Sequence, residues 1–160
     1  MTISTNTALW LQEQLLGLYH EDWGLSYVLD GNLASIPDDT PERWQLGVDL
    51  IYRGLVCDLI KVNDFGANPD RASFLHAIRT LAPHGNGAGF WHATIVWGAP
   101  RLCKLIEANF PPPDQRDDRL NVAFIEALEQ IFAENGVAWS DKPLLPIMPA
   151  GASAELSAPR

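Results

Sequence analysis

The chain has 160 residues, 47% of them hydrophobic and 19% charged, with 11 basic side chains against 20 acidic ones and a formal net charge of −9. This is the composition of one globular domain, long enough to hold a core without disulfides or a structural metal, and it excludes a chain disordered throughout. Residues 1–149 are expected to form that domain, and 150–160, with Leu156 as their one large apolar side chain, a flexible tail.

Leu9, Trp10, Leu11, Leu15, Leu16, Leu18 and Tyr19 recur at spacings of three and four, so residues 7–19 read as a first helix capped by Asn6 or Thr7. Leu25, Val28, Leu29 and Leu33 continue a helical spacing that frays at Gly31 and Asn32. Thr40-Pro41-Glu42 is a start signal, because Thr caps and Pro at the first helical position gives up an amide that has no partner there. Trp44, Val48, Ile51 and Leu55 follow on one face, Gly54 is expected to close the helix in the left-handed conformation, and residues 55–62 (LVCDLIKV) read as a short strand. Three helices and a strand in this order suggest a winged-helix-like N-terminal half.

Asn68-Pro69 repeats the cap-and-proline start for a helix bearing Leu75, Ile78 and Leu81, which Pro83 stops. The stretch HGNGAG at 84–89 reads as a loop, and FWHATIVW at 90–97 as a further helix. Pro100 opens a turn with Leu102, Leu105 and Ile106, ended by Pro111-Pro112-Pro113. The last helix carries Leu120, Phe124, Ile125, Leu128, Ile131 and Phe132 on one face, with Asn135-Gly136 as its C-cap and Val137 closing over it. The fold class is therefore mainly α: one domain of six to seven helices with one short β element.

Charge is unevenly placed. Residues 1–66 hold three basic side chains (Arg43, Arg53 and Lys61) against ten acidic ones, a net of −7. A field of one sign repels phosphate backbones and attracts basic proteins, which disfavours nucleic-acid binding through this half. The third helix carries Glu42 and Asp49 against Arg43 and Arg53, a poor composition for a helix that reads DNA. No stretch approaches the ~18 apolar residues of a membrane span, and the first fifteen residues lack the basic and apolar regions of a secretory signal, so a cytoplasmic location is expected. Cys57 and Cys103 have no CxxC spacing and suit buried free thiols.

The residues indicate no catalytic constellation. His20, His76, His84 and His92 lack metal-ligand spacing, with His84 in its glycine loop the one most open to a functional role. Gly85, Gly87 and Gly89 match neither a GxGxxG nor a P-loop pattern, and adjacent carboxylates such as Asp38-Asp39 and Asp117-Asp118 point apart rather than converge on a substrate. No metal and no cofactor is expected. Trp23, beside Glu21 and Asp22, is the better placed of the tryptophans to anchor a protein interface.

HEDWGL at 20–25, YRGLV at 52–56, RLCKLIEANF at 101–110, NVAFIEALEQIFAENGVAW at 121–139 and PLLPI at 143–147 together resemble small cytoplasmic immunity proteins encoded beside bacterial polymorphic toxins of contact-dependent or Rhs type. The resemblance implies a non-enzymatic inhibitor that binds a cognate, basic toxin domain tightly, and a toxin that acts in the cytoplasm. The residues expected to meet the toxin are Glu21, Asp22, Trp23, Asp30, Asp38, Asp39, Glu42 and Asp49. The alternatives are a winged-helix transcriptional regulator and an enzyme or small-molecule sensor built on residues 84–97.

Overall fold

The computed structural model describes residues 2–31, 33, 36–63 and 70–149. Helix α1 (Thr5–His20) starts at Ser4, earlier than the expected Asn6 or Thr7, because the Ser4 hydroxyl accepts the Thr7 amide at 3.2 Å and satisfies an otherwise orphaned donor. The chain turns at Glu21 and Asp22 into β1 (Trp23–Gly24), a two-residue strand that no local pattern announces. The expected second helix is only a 3-10 turn, Leu25–Leu29. It stops because Asp30 is extended and Gly31 takes φ 91, which leaves the Asp30 carbonyl to accept from Trp10 Nε1 and Gln14 Nε2, each at 3.0 Å.

Thr40 and Pro41 open α2 (Pro41–Val56) as expected, the Thr40 hydroxyl accepting the Arg43 amide at 3.3 Å. Gly54 does not end it. A Cβ there would lie 2.4 Å from Ile60 Cδ1, so the glycine lets β2 (Ile60–Asn63) fold back against the helix. The left-handed residue is Asp58 at φ 55, and the predicted strand over 55–62 is narrowed accordingly, Leu55 and Val56 belonging to α2.

Helix α3 (Arg71–Thr80) is capped by Asp70, whose carboxylate accepts the Ser73 amide at 2.8 Å; the predicted Asn68-Pro69 start lies outside the described residues, as does the predicted tail at 150–160. A turn over residues 83–87 leads to α4 (Ala88–Ala93), so the helix takes the end of the expected glycine loop. The stretch FWHATIVW is not one helix: it divides at Thr94, whose amide closes α4 on the Phe90 carbonyl at 3.0 Å while its carbonyl accepts the Leu25 amide at 2.7 Å. The β-branched residues beyond it form β3 (Ile95–Gly98). Pro100 starts α5 (Pro100–Asn109), and α6 (Val122–Glu134) runs from an Asn121 cap to Gly136 at φ 73, where the Val137 amide reaches the Phe132 carbonyl at 2.8 Å.

The strands make one antiparallel sheet in the order β1-β3-β2, with Trp23 opposite Val96 and Ile60 opposite Gly98. The protein is thus mainly helical with a small sheet. Its N-terminal order of helix, strand, short helix, helix and strand is shared with winged helices, but residues 64–94 connect β2 to β3 through α3 and α4 where a winged helix has a hairpin. One core runs through Trp10, Leu11 and Leu15 of α1, Val48 and Ile51 of α2, Trp91, and Phe124, Leu128 and Phe132 of α6. Both cysteines are free thiols, Cys57 fully buried. No helix among the described residues is long and apolar enough to cross a membrane.

Residues 137–148 return across α2 and α3 as a strap. Gln45 donates to the Leu145 carbonyl at 3.1 Å and accepts the Ile147 amide at 2.9 Å, while Arg79 donates to the Pro146 carbonyl at 2.9 Å and its own carbonyl accepts the Met148 amide at 2.7 Å.

Candidate functional site

The charge of the N-terminal half is sorted by burial. Arg43 is 1% exposed and Arg53 0%, so two of the three cations counted in residues 1–66 lie inside the protein. The third, Lys61, is paired with Asp58. Glu21, Asp22, Asp30, Asp38, Asp39 and Glu42 are all exposed. Arg43 pairs with exposed Asp38, Lys61 with Asp58 and Arg53 with Asp49 inside, so the remaining negative charge of this half lies on its outer side chains.

Each buried arginine has a structural task. Arg43 sends Nη2 to Asp38 Oδ1 at 2.8 Å and to the Gly31 carbonyl at 3.1 Å, tying the turn before α2 to the end of the 3-10 turn. Arg53 sends Nη1 to Asp49 Oδ1 at 2.9 Å, Nε to the Val137 carbonyl at 2.9 Å and Nη2 to the Ala138 carbonyl at 3.2 Å, and its guanidinium lies 4.5 Å from the Trp139 ring centroid. Arg53 anchors the strap with acceptors on all three guanidinium nitrogens, whereas Arg43 anchors the turn through Nη2, its buried Nε and Nη1 having no hydrogen-bond partner among the described residues.

The eight residues expected to meet a partner do not share one environment. Glu21 and Asp22 lie exposed between α1 and β1. Trp23 is half-buried, its ring covering Gly17 of α1, and Tyr27, 54% exposed, stands 6.0 Å from it between ring centroids. Asp30 lies close enough to Asp38 for their charges to interact; burial first, then that neighbour, holds its carboxyl above the usual range. Asp38 and Asp39 occupy the turn before α2, and Glu42 its first turn, where the helix dipole favours a carboxylate. Asp49 departs from the set: it is 6% exposed and held by Arg53, and burial raises its pKa against the opposing pull of that guanidinium.

Two histidines pin this face. His84 Nε2 lies 3.1 Å from the Asp38 carbonyl, joining the 83–87 turn to the turn before α2, and His92 Nδ1 lies 3.0 Å from Ser26 Oγ, joining α4 to the 3-10 turn. Among the described residues, no group of three or more His, Cys, Asp or Glu is arranged to hold a metal ion.

The clefts that open on the surface among the described residues include three. One of about 310 Å³ runs between α2 and the strap, with Ile36, Leu46 and Trp139 as apolar lining and Glu42, Asp49 and Asp141 as carboxylates. A second, of about 500 Å³, lies along α1 beside Asp117 and Asp118, where Asp117 already holds Arg119 at 3.1 Å. The third, of about 290 Å³, is lined by Arg116 and Arg119. Sequence reasoning reached Glu42 and Asp49 but not Asp141, Trp139 or Gln45. Glu42, Gln45, Leu46 and Asp49 share one helical face at spacings of three and four, a signal that was available; the strap opposite them was not.

Compared with protein-family models, with curated proteins and with solved structures, the chain matches none.

Proposed function

We propose that this chain is a stoichiometric protein inhibitor of the immunity type, which neutralises a basic toxin domain by docking its acidic face against it. The observation that carries this reading is the sorting of charge: Arg43 and Arg53 are internal while Glu21, Asp22, Asp30, Asp38, Asp39 and Glu42 face outward. Such a surface raises the encounter rate with a cationic protein and opposes approach to a phosphate backbone. Trp23 and the exposed Tyr27 add aromatic area beside the carboxylates, the residue types that concentrate binding energy in protein interfaces. The resemblance of the stretches at 20–25, 52–56, 101–110, 121–139 and 143–147 to cytoplasmic immunity proteins agrees with a binding rather than a catalytic task.

The test is recovery of the partner. At low salt the tagged chain is expected to retain one basic protein at 1:1, and co-expression is expected to rescue cells in which that protein is toxic. The reversals Asp39→Lys and Glu42→Lys, chosen because neither residue anchors a buried arginine, should weaken both effects. Rescue that survives the reversals, or the absence of any retained protein, rejects the reading.

A further inference from the structure

The cleft between α2 and the strap has the chemistry of a seat for one cationic side chain. Its lining offers Ile36, Leu46 and the Trp139 ring to an aliphatic stem, and Glu42 and Asp141 to a charged head. Lysine and arginine present these two parts in sequence, burying the stem along apolar surface while the head remains at polar groups. The third carboxylate, Asp49, is already matched by Arg53 behind it, so Glu42 and Asp141 are left to attract a cation, and no basic side chain among the described residues lines the cleft. A volume of about 310 Å³ lies at the small end of ligand-binding clefts, a size suited to a side chain rather than to a nucleotide cofactor.

The walls are held in place. Gln45 sits on the α2 face between Glu42 and Asp49, and its amide carries both hydrogen bonds to the strap, at 3.1 Å to Leu145 and 2.9 Å to Ile147. Arg53 holds the other end of the strap at Val137 and Ala138. The cleft is thus formed before any partner arrives, which lowers the ordering cost of binding.

We infer that the cleft lined by Glu42, Asp141, Leu46 and Trp139 receives a protruding lysine or arginine of the protein partner. This rests on the proposed inhibitor reading for the partner's existence, while the cleft's preference for a cationic side chain is measurable without it. The probe is a hexa-arginine peptide, with hexa-glutamate as control, titrated at low salt into the isotope-labelled full chain and followed by NMR. Shifts are expected to concentrate on the Trp139 indole N–H and the Leu46 and Ile36 methyl groups. The double variant Glu42→Gln with Asp141→Asn should weaken binding about tenfold, the scale of two exposed charge contacts. The variant Glu126→Gln with Glu134→Gln, exposed carboxylates of α6 outside both the cleft and the acidic face, should leave binding at this cleft unchanged.

Shifts spread evenly over all exposed carboxylates, or equal affinity of the Glu42/Asp141 variant, would overturn the inference. Both altered residues are exposed, and an unchanged thermal midpoint verifies that the variant is folded. If a partner is captured and its binding ignores Glu42 and Asp141 but responds to Asp39 and Asp22, the seat is wrong and the inhibitor reading stands. If the peptide seats in the cleft and no partner exists, the reverse holds.

Discussion

Arg53→Met is the most informative change to the folded molecule. The guanidinium is fully buried and supplies the counter-charge of Asp49 together with donors to the carbonyls of Val137 and Ala138. Methionine fills much of the volume but leaves Asp49, itself 6% exposed, with no cation, and a carboxyl in that position takes up a proton on folding. At pH 7, holding a carboxyl protonated against an unfolded pKa near ~3.9 costs about 4 kcal/mol, at about 1.4 kcal/mol per pH unit. The vacated carbonyls add about 1 kcal/mol. A total near 5 kcal/mol lowers Tm by about 10–15 °C in a chain of this size.

The dependence on pH has a definite sign. In the variant the folded state binds the Asp49 proton that the unfolded state releases, so stability falls as pH rises above the ordinary carboxylate value. At pH 5.5 the penalty should shrink to about 2 kcal/mol for the proton, with the carbonyl contribution unchanged. Urea unfolding followed by tryptophan fluorescence at pH 5.5 and 7 measures both. Adding Asp49→Asn to Arg53→Met should recover most of the loss at pH 7. A loss equal at the two pH values, or below about 1.5 kcal/mol at pH 7, would refute the assignment of Arg53 as the charge partner that keeps Asp49 ionised.

Three further outcomes follow from the packing. Gly17→Ala places a Cβ 1.9 Å from Trp23 Cη2, and displacing that ring should cost about 1–3 kcal/mol and red-shift the tryptophan emission; the added change Trp23→Ala should cancel most of the Gly17→Ala effect in a double-mutant cycle. Gln45→Ala removes both strap hydrogen bonds and strands the Ile147 amide, so hydrogen exchange and limited proteolysis should accelerate over residues 140–149 while α6 remains protected. Asp30→Asn should flatten the stability profile just above the ordinary carboxylate pKa. The wild-type carboxyl, raised by burial and by Asp38, binds its proton more tightly when folded and so lowers stability as pH rises through that window; a profile unchanged by the substitution would refute this.

What the sequence made legible was local. Thr40-Pro41, Pro100 and Asn135-Gly136 each act within a few residues, and all three mark helix ends in the structure. The strand Trp23–Gly24 exists only because Ile95 and Val96 pair with it from the far side of α2, α3 and α4, and a two-residue pattern carries no period to detect. The same distance in sequence hides the division at Thr94, whose carbonyl is claimed by Leu25. Charge counting treated Arg43 and Arg53 as surface cations. The spacing of Asp49 and Arg53 is the i,i+4 of a helical ion pair, but that both are buried depends on the strap folding over them from residue 137 onward. The sign of the acidic face was therefore legible, whereas the pairing of its cations and the cleft beside Glu42 required the tertiary structure.

In the proposed function the outward carboxylates of the N-terminal half form a docking surface. The most direct measurement is the association rate with the captured partner, by stopped-flow or surface-based kinetics, between about 20 and 300 mM NaCl, which shortens the screening length from about 21 to about 6 Å, for wild type and for Glu21→Lys, Asp22→Lys and Asp39→Lys combined. Steered docking predicts a rate that falls by about tenfold or more with salt, and a variant that is slow at low salt and insensitive to it. A rate indifferent to salt and to the three reversals would contradict the account and leave those carboxylates as solvated surface alone.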